Sequence, residues 1–283
     1  MRNTLLILVF MICSISFAQN GQPFQIYNSK GKKVSYKKMI KELAKSDVVL
    51  FGEYHNNSLG HWLQLQVTKS LNERKGVVLG AEMFEADNQE GLSKYVDGTI
   101  TNDEFKEEVR LWNNYEGDYK PLVEYAKSNG LDFIATNVPR RYASLLFKQG
   151  EAALDSLSDT EKSWIAPLPF PYDGELPGYK NMMAMFEDHA NDNFPKAQAI
   201  KDATMGHFIT QNIKSDKLFL HFNGSYHSNN YEGIFWYLNK YNPALRVSTI
   251  TMVESEDVDT FASENKGLAN FIIVIEANIL KTF

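Results

Sequence analysis

The chain has 283 residues, of which 43% are hydrophobic and 23% are charged, and its formal net charge at pH 7 is −6. This composition is typical of one globular domain with a large core. Because the charge balance is acidic, the chain offers no basic surface for nucleic acid or for an anionic membrane, and the sequence predicts no nucleic-acid partner.

Residues 1–18 are predicted to be a signal peptide that is removed from the mature protein. Arg2 gives the positive start, residues 4–16 are mostly apolar, and small residues precede the expected cleavage before Gln19. The only cysteine, Cys13, lies inside this segment, so the mature protein would have no disulfide and no cysteine nucleophile. The large residue before Cys13 argues against a lipid anchor. We therefore expect an exported protein, periplasmic or extracellular.

Alternating helix and strand patterns predict a single α/β domain over residues 19–283. A hairpin is expected over residues 24–36, followed by an amphipathic helix over residues 37–45. Apolar runs then indicate buried strands at residues 47–51, 77–81, 131–135, 217–222, 246–251 and 270–275. Because these strands alternate with helices, the expected fold is a mostly parallel, doubly wound sheet flanked by helices.

Two segments interrupt the alternation and are predicted to be helical insertions, at about residues 86–129 and 151–195. In the first, Thr101 followed by Glu104 is a capping box that begins a helix. In the second, prolines and glycines exclude regular structure over residues 167–178, where aromatic side chains are also frequent. Two interpretations are open for this loop: packing of a satellite core, or a lid subdomain over an apolar ligand.

Polar side chains follow four of the predicted strands, at the point where each strand ends. The pairs are Glu53 with His55, Glu82 with Glu85, Asn137 with Arg140, and Asn223 with His227. Because the carboxyl ends of parallel strands meet at one edge of a sheet, we expect these pairs to converge. Imidazoles, carboxylates and an arginine together support general acid–base catalysis on an ester or amide, or a mixed nitrogen and oxygen metal site.

The position of His227 distinguishes a convergent site from a coincidence. A convergent site requires His227 and His55 in one pocket, with Glu53 and at least one of Glu82 or Glu85 on the same rim. Under the structural interpretation, His227 is instead a capping or hydrogen-bonded core histidine that does not face His55. The two interpretations therefore predict different positions for the same imidazole.

Five motifs, in order along the chain, carry a resemblance to a known family. They are Gly52-Glu53-Tyr54-His55, Glu82-Met83-Phe84-Glu85, Asn137-Val138-Pro139-Arg140, Lys201-Asp202-Ala203-Thr204-Met205 and His221-Phe222-Asn223-Gly224-Ser225-Tyr226-His227. Together they resemble the ChaN-like haem-binding family, which is related to the TIKI proteases and the erythromycin esterases. The resemblance covers roughly residues 40–280. It implies an exported protein with a role in haem or iron acquisition and a small helical domain beside the sheet.

The resemblance also implies that a tyrosine ligates haem at a dimer contact. It does not single out one tyrosine, and the candidates near the expected cleft or lid are Tyr54, Tyr119, Tyr172, Tyr179 and Tyr226. A phenolate suits ferric iron because both are hard, and an apolar pocket suits the porphyrin faces. The expected partners are haem or another small apolar ligand, a second copy of the chain, and an outer-membrane haem-uptake protein.

The alternative hypothesis is a hydrolase of the same superfamily, in which the Glu and His of the Gly-Glu-x-His motif act in hydrolysis or metal binding. Its catalytic set would be Glu53, His55, Glu82, Glu85, Arg140 and His227. A divalent ion such as Zn²⁺ or Mn²⁺ would be held by Glu53, His55, Glu82 and His227, and would lower the pKa of a bound water. A third hypothesis, a structural surface protein, accounts for the fold but not for the four aligned polar pairs.

Overall fold

The computed structural model of the chain describes residues 21–185, 191 and 193–283, and the predicted signal peptide lies outside them. The strands of the described residues are β1 (Phe24–Asn28), β2 (Val48–Glu53), β3 (Val77–Glu85), β4 (Phe133–Asn137), β5 (Leu218–Gly224), β6 (Val247–Ser255) and β7 (Phe271–Glu276). They form one sheet in the order β1-β7-β6-β2-β5-β3-β4. β1 is antiparallel to β7 and the other pairings are parallel.

Helices cover both faces of this sheet and fill the two insertions. They are α1 (Tyr36–Leu43), α2 (Ser58–Lys75), α3 (Gln89–Val96), α4 (Asn102–Glu108), α5 (Lys120–Asn129), α6 (Arg140–Gln149), α7 (Asp159–Lys162), α8 (Pro177–Met185), α9 (Asn193–Gln211) and α10 (Ile234–Tyr241). No helix among the described residues has both the length and the apolar character that crossing a membrane requires. The predicted fold, a mostly parallel α/β sheet flanked by helices, is confirmed.

The strands at the middle of the sheet are buried on both faces. Every residue of β2, β3 and β5 is buried, which explains why these strands are nearly continuous apolar runs in the sequence. Val49 and Phe51 of β2 pack into the cluster that contains the inner sides of α1, α2, α3 and α5. Val48 and Leu50 face the opposite way and pack against residues of α9 and α10. The alternation along one strand therefore supplies two cores.

The second insertion packs as a satellite core. Phe170 and Tyr179 are buried in a hydrophobic cluster with residues of α6 and α9, including Tyr142 and Ala199. Of the two interpretations left open by the sequence, satellite packing therefore describes these side chains. The first insertion contains α3, α4 and α5, and the capping box of Thr101 and Glu104 is present at the start of α4.

Two local predictions are wrong. The second strand of the N-terminal hairpin does not form, because Ser35 caps α1 by accepting a hydrogen bond from the Lys38 backbone N–H. β1 pairs instead with β7, and one isolated bridge joins Tyr27 to Lys33. β3 is also longer than predicted, so Glu82 lies within the strand rather than after it.

The strand order brings distant segments together at one edge. β5 lies between β2 and β3, and is hydrogen-bonded to both. Glu53, the last residue of β2, is in register with Gly224 at the end of β5. Since all three strands are parallel, their carboxyl ends and the turns that follow them form one surface, and this is where the polar pairs of the sequence are found.

Candidate functional site

A buried carboxylate at the end of β2 organises one half of the site. Glu53 is buried, and its Oε1 accepts hydrogen bonds from His55 Nδ1 at 2.8 Å and from the Tyr119 hydroxyl at 2.7 Å. The Gln64 amide donates to the other oxygen, and His61 Nδ1 lies 3.6 Å from that oxygen. Gln64 and His61 lie on α2, which Asn57 begins by accepting from the Gly60 N–H. Glu53 is therefore held rigidly and fixes the orientation of His55.

His55 is the accessible member of this pair. Its side chain is 35% exposed, and its ring packs edge-on against Trp112 at a centroid distance of 4.9 Å. Burial lowers the pKa of His55, but the hydrogen bond to Glu53 and the charges of Glu82 and Glu53 outweigh this effect, so the pKa is raised. With Nδ1 occupied by Glu53, Nε2 is the ring atom that can meet a ligand.

A second, fully buried triad adjoins the first pair. His227 Nε2 lies 3.2 Å from Glu82 Oε1, and His227 Nδ1 lies 2.5 Å from Asp202 Oδ1. Since both ring nitrogens contact carboxylates, both carry protons, and the ring is an imidazolium. Burial lowers the pKa of His227, but the charges of Glu82 and Asp202 and the hydrogen bonds to them raise it to about 10.

The two carboxylates of the triad differ in the protonation that their surroundings favour. Burial raises the pKa of Glu82, but His227, His55 and a hydrogen bond from the Gly224 N–H at 2.7 Å outweigh burial and lower it. Burial also raises the pKa of Asp202, and there the attraction of His227 does not reverse the effect. Glu82 therefore carries the negative charge that balances the imidazolium.

The two halves of the site meet at Gly224. An ideal Cβ on Gly224 would lie 2.9 Å from His55 Nε2 and 3.5 Å from Glu82 Oε2. His227 contacts the other oxygen of the same carboxylate. The structure thus places His55 and His227 on either side of Glu82, with Glu53 behind His55.

Glu85 is directed to a different neighbour. In a regular strand, residues three apart face opposite sides, and the register of β3 against β4 shifts between Ala81 and Glu85. Glu85 forms an ion pair with Arg110, while Glu82 turns toward Gly224 and His227. Glu82 and Glu85 therefore have different partners, although both line the same cavity.

The arrangement does not support the predicted divalent metal site. Among the described residues, no group of three or more His, Cys, Asp or Glu side chains has the geometry to hold a metal ion. His227 has both ring nitrogens on carboxylates, so as an imidazolium it has no lone pair to donate. The proposed ligand set of Glu53, His55, Glu82 and His227 is instead two hydrogen-bonded pairs.

A cavity of about 580 Å³ opens at this edge of the sheet, and we call it the cleft. Its charged lining residues are Glu82, Glu85, Arg110, Arg140 and Lys201, and its aromatic ones are Trp112 and Phe283. The remaining lining residues are Leu111, Asn113, Asn114, Asn137, Val138 and Thr282. The predicted residue Arg140, at the start of α6, is thus exposed on the wall of the cleft.

Residues 280–283 lie across one side of the cleft. The Thr282 backbone N–H donates to the Asn56 carbonyl at 2.9 Å, and its hydroxyl donates to Asp118 at 2.8 Å. These two bonds place the exposed side chain of Phe283 on the wall of the cleft. The segment is therefore tied to the same loops that carry the site.

The five candidate tyrosines lie in different environments. Tyr119 is buried and its hydroxyl donates to Glu53, while Tyr179 is buried in the satellite core. Tyr172 stacks on Tyr179 with 5.6 Å between ring centroids. Tyr54 is half-buried beside Lys281, whose Nζ lies 6.0 Å from its ring centroid. Tyr226 is 46% exposed, and its hydroxyl donates to the Gly178 carbonyl of α8 at 2.7 Å.

Several residues of the site were not predicted as such. Lys201 and Asp202 begin the motif Lys201-Asp202-Ala203-Thr204-Met205, but the sequence alone indicates no catalytic or binding role for either. Asp202 follows Ala199 by three residues on α9, so a carboxylate on the buried side of a helix was the available signal. Trp112 and Arg110 lie in the irregular segment between α4 and α5, where no periodic pattern indicates which side chains face inward.

Comparison with known families identifies the relatives of this chain. A family model described as "Haem-binding uptake, Tiki superfamily, ChaN" matches residues 39–238. The chain belongs to this family. The match extends from α1 into α10 and contains both pairs built around Glu53 and Glu82, and it confirms the resemblance carried by the motif series.

Two solved structures share the fold of this chain. A structure described as "Cofacial heme binding to ChaN of Campylobacter jejuni" is 17% identical, with a TM-score of 0.69 over 90% of this chain and 98% of that chain. A Bacillus cereus protein is 11% identical, with a TM-score of 0.53 over 89% of this chain and 94% of that chain. At such identities, the similarity establishes the fold.

A sequence relative comes from a plant. Protein RETICULATA-RELATED 5, chloroplastic, from Arabidopsis thaliana is 24% identical over 155 residues, which are 52% of this chain and 20% of that protein. The chain therefore matches about a fifth of the length of this relative.

Proposed function

We propose that the protein binds haem and that it is an exported protein with a role in haem or iron acquisition. Membership of the ChaN haem-binding uptake family, over a match that contains the whole strand-edge site, is the observation that carries this proposal. The predicted signal peptide over residues 1–18 supports export.

The residues present fit haem. The cleft volume lies within the range of about 300–1,000 Å³ for small-molecule sites. Trp112 and Phe283 offer apolar surface for a flat ring system. Tyr226 does not line the cleft, but it precedes His227, which contacts the lining residue Glu82. It would supply the phenol, because it is exposed while Tyr119 and Tyr179 are buried with their hydroxyls bonded to carboxylates. Bound haem supplies ferric iron, for which a phenolate is a hard anionic ligand.

Burial would oppose ligation through Tyr226, because it disfavours loss of the phenol proton unless iron binds the phenolate. Burial, together with the charges of Asp202 and Glu232, raises the pKa of Tyr226 to about 12. The hydroxyl would therefore lose its proton only on meeting the cation, and its present acceptor, the Gly178 carbonyl, would be released. Movement of α8 away from Tyr226 is thus coupled to ligation.

A haem titration of the purified protein, followed by visible absorption, tests this proposal. We expect a saturable band characteristic of tyrosine ligation, which Tyr226→Phe removes and the control Tyr36→Phe leaves unchanged. Tyr36 is the first residue of α1, and its hydroxyl is hydrogen-bonded with the Ser70 hydroxyl of α2. Absence of a saturable band would refute haem binding, and an unchanged band in Tyr226→Phe with a lost band in Tyr54→Phe would move the ligand to Tyr54.

A second candidate function is acid–base hydrolysis, favoured by the half-exposed imidazole of His55 on a buried carboxylate. Glu53 accepts a hydrogen bond from Nδ1 of His55. This leaves Nε2 to exchange a proton with a substrate or a water. Activity of the purified protein on a panel of small esters, lost in His55→Gln and retained in His207→Gln, would support it. Equal activity in both variants would exclude a catalytic role for His55.

A further inference from the structure

Two cations on the wall of the cleft form no ion pair with a carboxylate of the described residues. Arg110, Arg140 and Lys201 all line the cleft, but only Arg110 forms an ion pair there, with Glu85. The one polar contact of the Lys201 ammonium with a described side chain is a hydrogen bond of 3.4 Å to the Gln198 amide oxygen. Arg140 and Lys201 are therefore available to bind an anion.

The carboxylates of the cleft are already engaged. Glu85 is paired with Arg110, and Glu82 is held by the His227 imidazolium and the Gly224 N–H. Neither needs Arg140 or Lys201 as a counter-ion. A concave surface that presents two unmatched cations attracts anions, since low-dielectric walls concentrate the field of the charges.

The surroundings of Arg140 add further groups that can bind an anion. Arg140 is the first residue of α6, and no side chain caps this helix end, which carries a partial positive charge. Asn113 and Asn137 also line this part of the cleft, with Trp112 and Phe283 as its apolar surfaces. The combination fits a molecule with an anionic group at one end and an apolar, flat body.

We propose that Arg140 and Lys201 form an oxyanion site, which binds the carboxylate or phosphate group of an otherwise apolar small molecule in the cleft. Arg binds such groups through two parallel N–H donors and Lys through a single charged one. If the oxyanion is a haem propionate, the inference rests on the proposed function. If the oxyanion is the phosphate of another small molecule, the inference is independent of the proposed function.

Binding of three probes to matched variants tests the site and identifies the source. The probes are inorganic phosphate, followed by phosphorus NMR, and haem and haem dimethyl ester, followed by visible absorption in one detergent buffer. We expect Arg140→Gln and Lys201→Gln each to weaken binding of the recognised anion about tenfold, as for loss of one charge-assisted hydrogen bond. Arg141→Gln is the control, because Arg141 is the next residue of α6 and pairs with Asp87 outside the cleft.

The outcomes separate this inference from the proposed function. Tighter binding of haem than of its diester, with the difference lost in the two cleft variants but not in Arg141→Gln, assigns the site to propionates. Phosphate binding that the two variants weaken, without any haem binding, keeps the oxyanion site and refutes the haem function. Equal binding of haem and diester, without phosphate binding, refutes the oxyanion site and keeps the haem function.

Discussion

The buried imidazolium of His227 is the most consequential single residue of this structure. Taking an isolated charge out of water is strongly unfavourable, and here one cation serves two carboxylates. Removing one member of such a group leaves an uncompensated buried charge. The triad therefore specifies a single local arrangement that tolerates little substitution, in contrast to the half-exposed His55.

We expect His227→Gln to change both the stability and its dependence on pH. At neutral pH the free energy of unfolding should fall by ~3–5 kcal/mol, because Glu82 loses its cation and Asp202 loses its hydrogen-bond partner. The folded-state pKa of His227, about 10, is raised above the usual 6.5, so its contribution is complete below pH 6.5 and is lost as the pH rises toward 10. Urea unfolding at several pH values should show this loss in the unsubstituted protein and not in His227→Gln.

The control for this measurement is His207→Gln. His207 lies on α9, as Asp202 does, but its pKa is lowered by burial, so it stays neutral over this range. Its variant should retain the full loss of stability between pH 6.5 and 10. Parallel curves for His227→Gln and the unsubstituted protein would show that the ring is not charged.

Gly224 permits the approach of His55 to Glu82, and Gly224→Ala should separate them. The backbone there has φ of −55°, which alanine adopts readily, but its Cβ would lie 2.9 Å from His55 Nε2. The imidazole should move away from Gly224 and therefore from the negative charge of Glu82, so that the pKa of His55, measured by NMR titration, falls. The free energy of unfolding should change by less than ~1 kcal/mol. Gly117→Ala, with open space around its Cβ, should leave the His55 titration unchanged; an unchanged titration in Gly224→Ala would contradict the geometry.

At the scale of elements, the sequence predicts where strands lie better than what their ends touch. An apolar run marks a buried strand because burial on both faces demands it. The predicted strands differ from the observed ones by one or two residues at each end, except for β3 and β6, which each extend four residues further. β3 continues through Glu82 to Glu85, since a buried carboxylate that has a partner does not end a strand. That partner, His227, lies on a turn distant in sequence, and no local pattern reveals it.

The same limit explains the tyrosines and the missed residues. Tyr119 and Tyr226 are equally plausible ligands by composition, and only tertiary packing buries one beneath Glu53 and exposes the other. Asp202 is hidden in an apolar helix whose periodicity predicts burial but not a charged neighbour. Periodic patterns thus predict elements and faces, whereas ion pairs depend on the strand order.

The segment 280–283 should open when its side-chain bond to the site is removed. Thr282→Val keeps the size of the residue and removes the hydroxyl that donates to Asp118. We expect faster hydrogen exchange in this segment and faster ligand entry to the cleft, with a loss of about 1 kcal/mol in unfolding free energy. Thr260→Val, which removes a similar bond to Asp257, is the control. Unaltered exchange at residues 280–283 would mean that the remaining contacts, which include the Ser58 bond to the Leu280 carbonyl and the Lys281–Glu254 ion pair, are enough to hold the segment.

At the scale of the whole molecule, specific binding must appear as added stability. A ligand that binds only the folded chain, at 100 times its Kd, raises the free energy of unfolding by about 2.7 kcal/mol. We expect haem to raise the free energy of unfolding measured by chemical denaturation. The rise should be smaller in Arg140→Gln. A spectral change without any gain in stability would mark adsorption to apolar surface, which the unfolded chain offers equally.

The place of β5 between β2 and β3 also governs when the protein becomes functional during its synthesis. β2 and β3 are made early, yet neither pairs with the other, and both await a strand that begins at Leu218. Until the ribosome has passed His227, Glu82 has no cation and the middle of the sheet has two bare edges. The growing chain can therefore neither close the middle of its sheet nor complete the site, and both become possible together once β5 and the turn that follows it have been made. Under the export that we propose, this late assembly would keep the polypeptide unfolded and empty until β5 has been delivered.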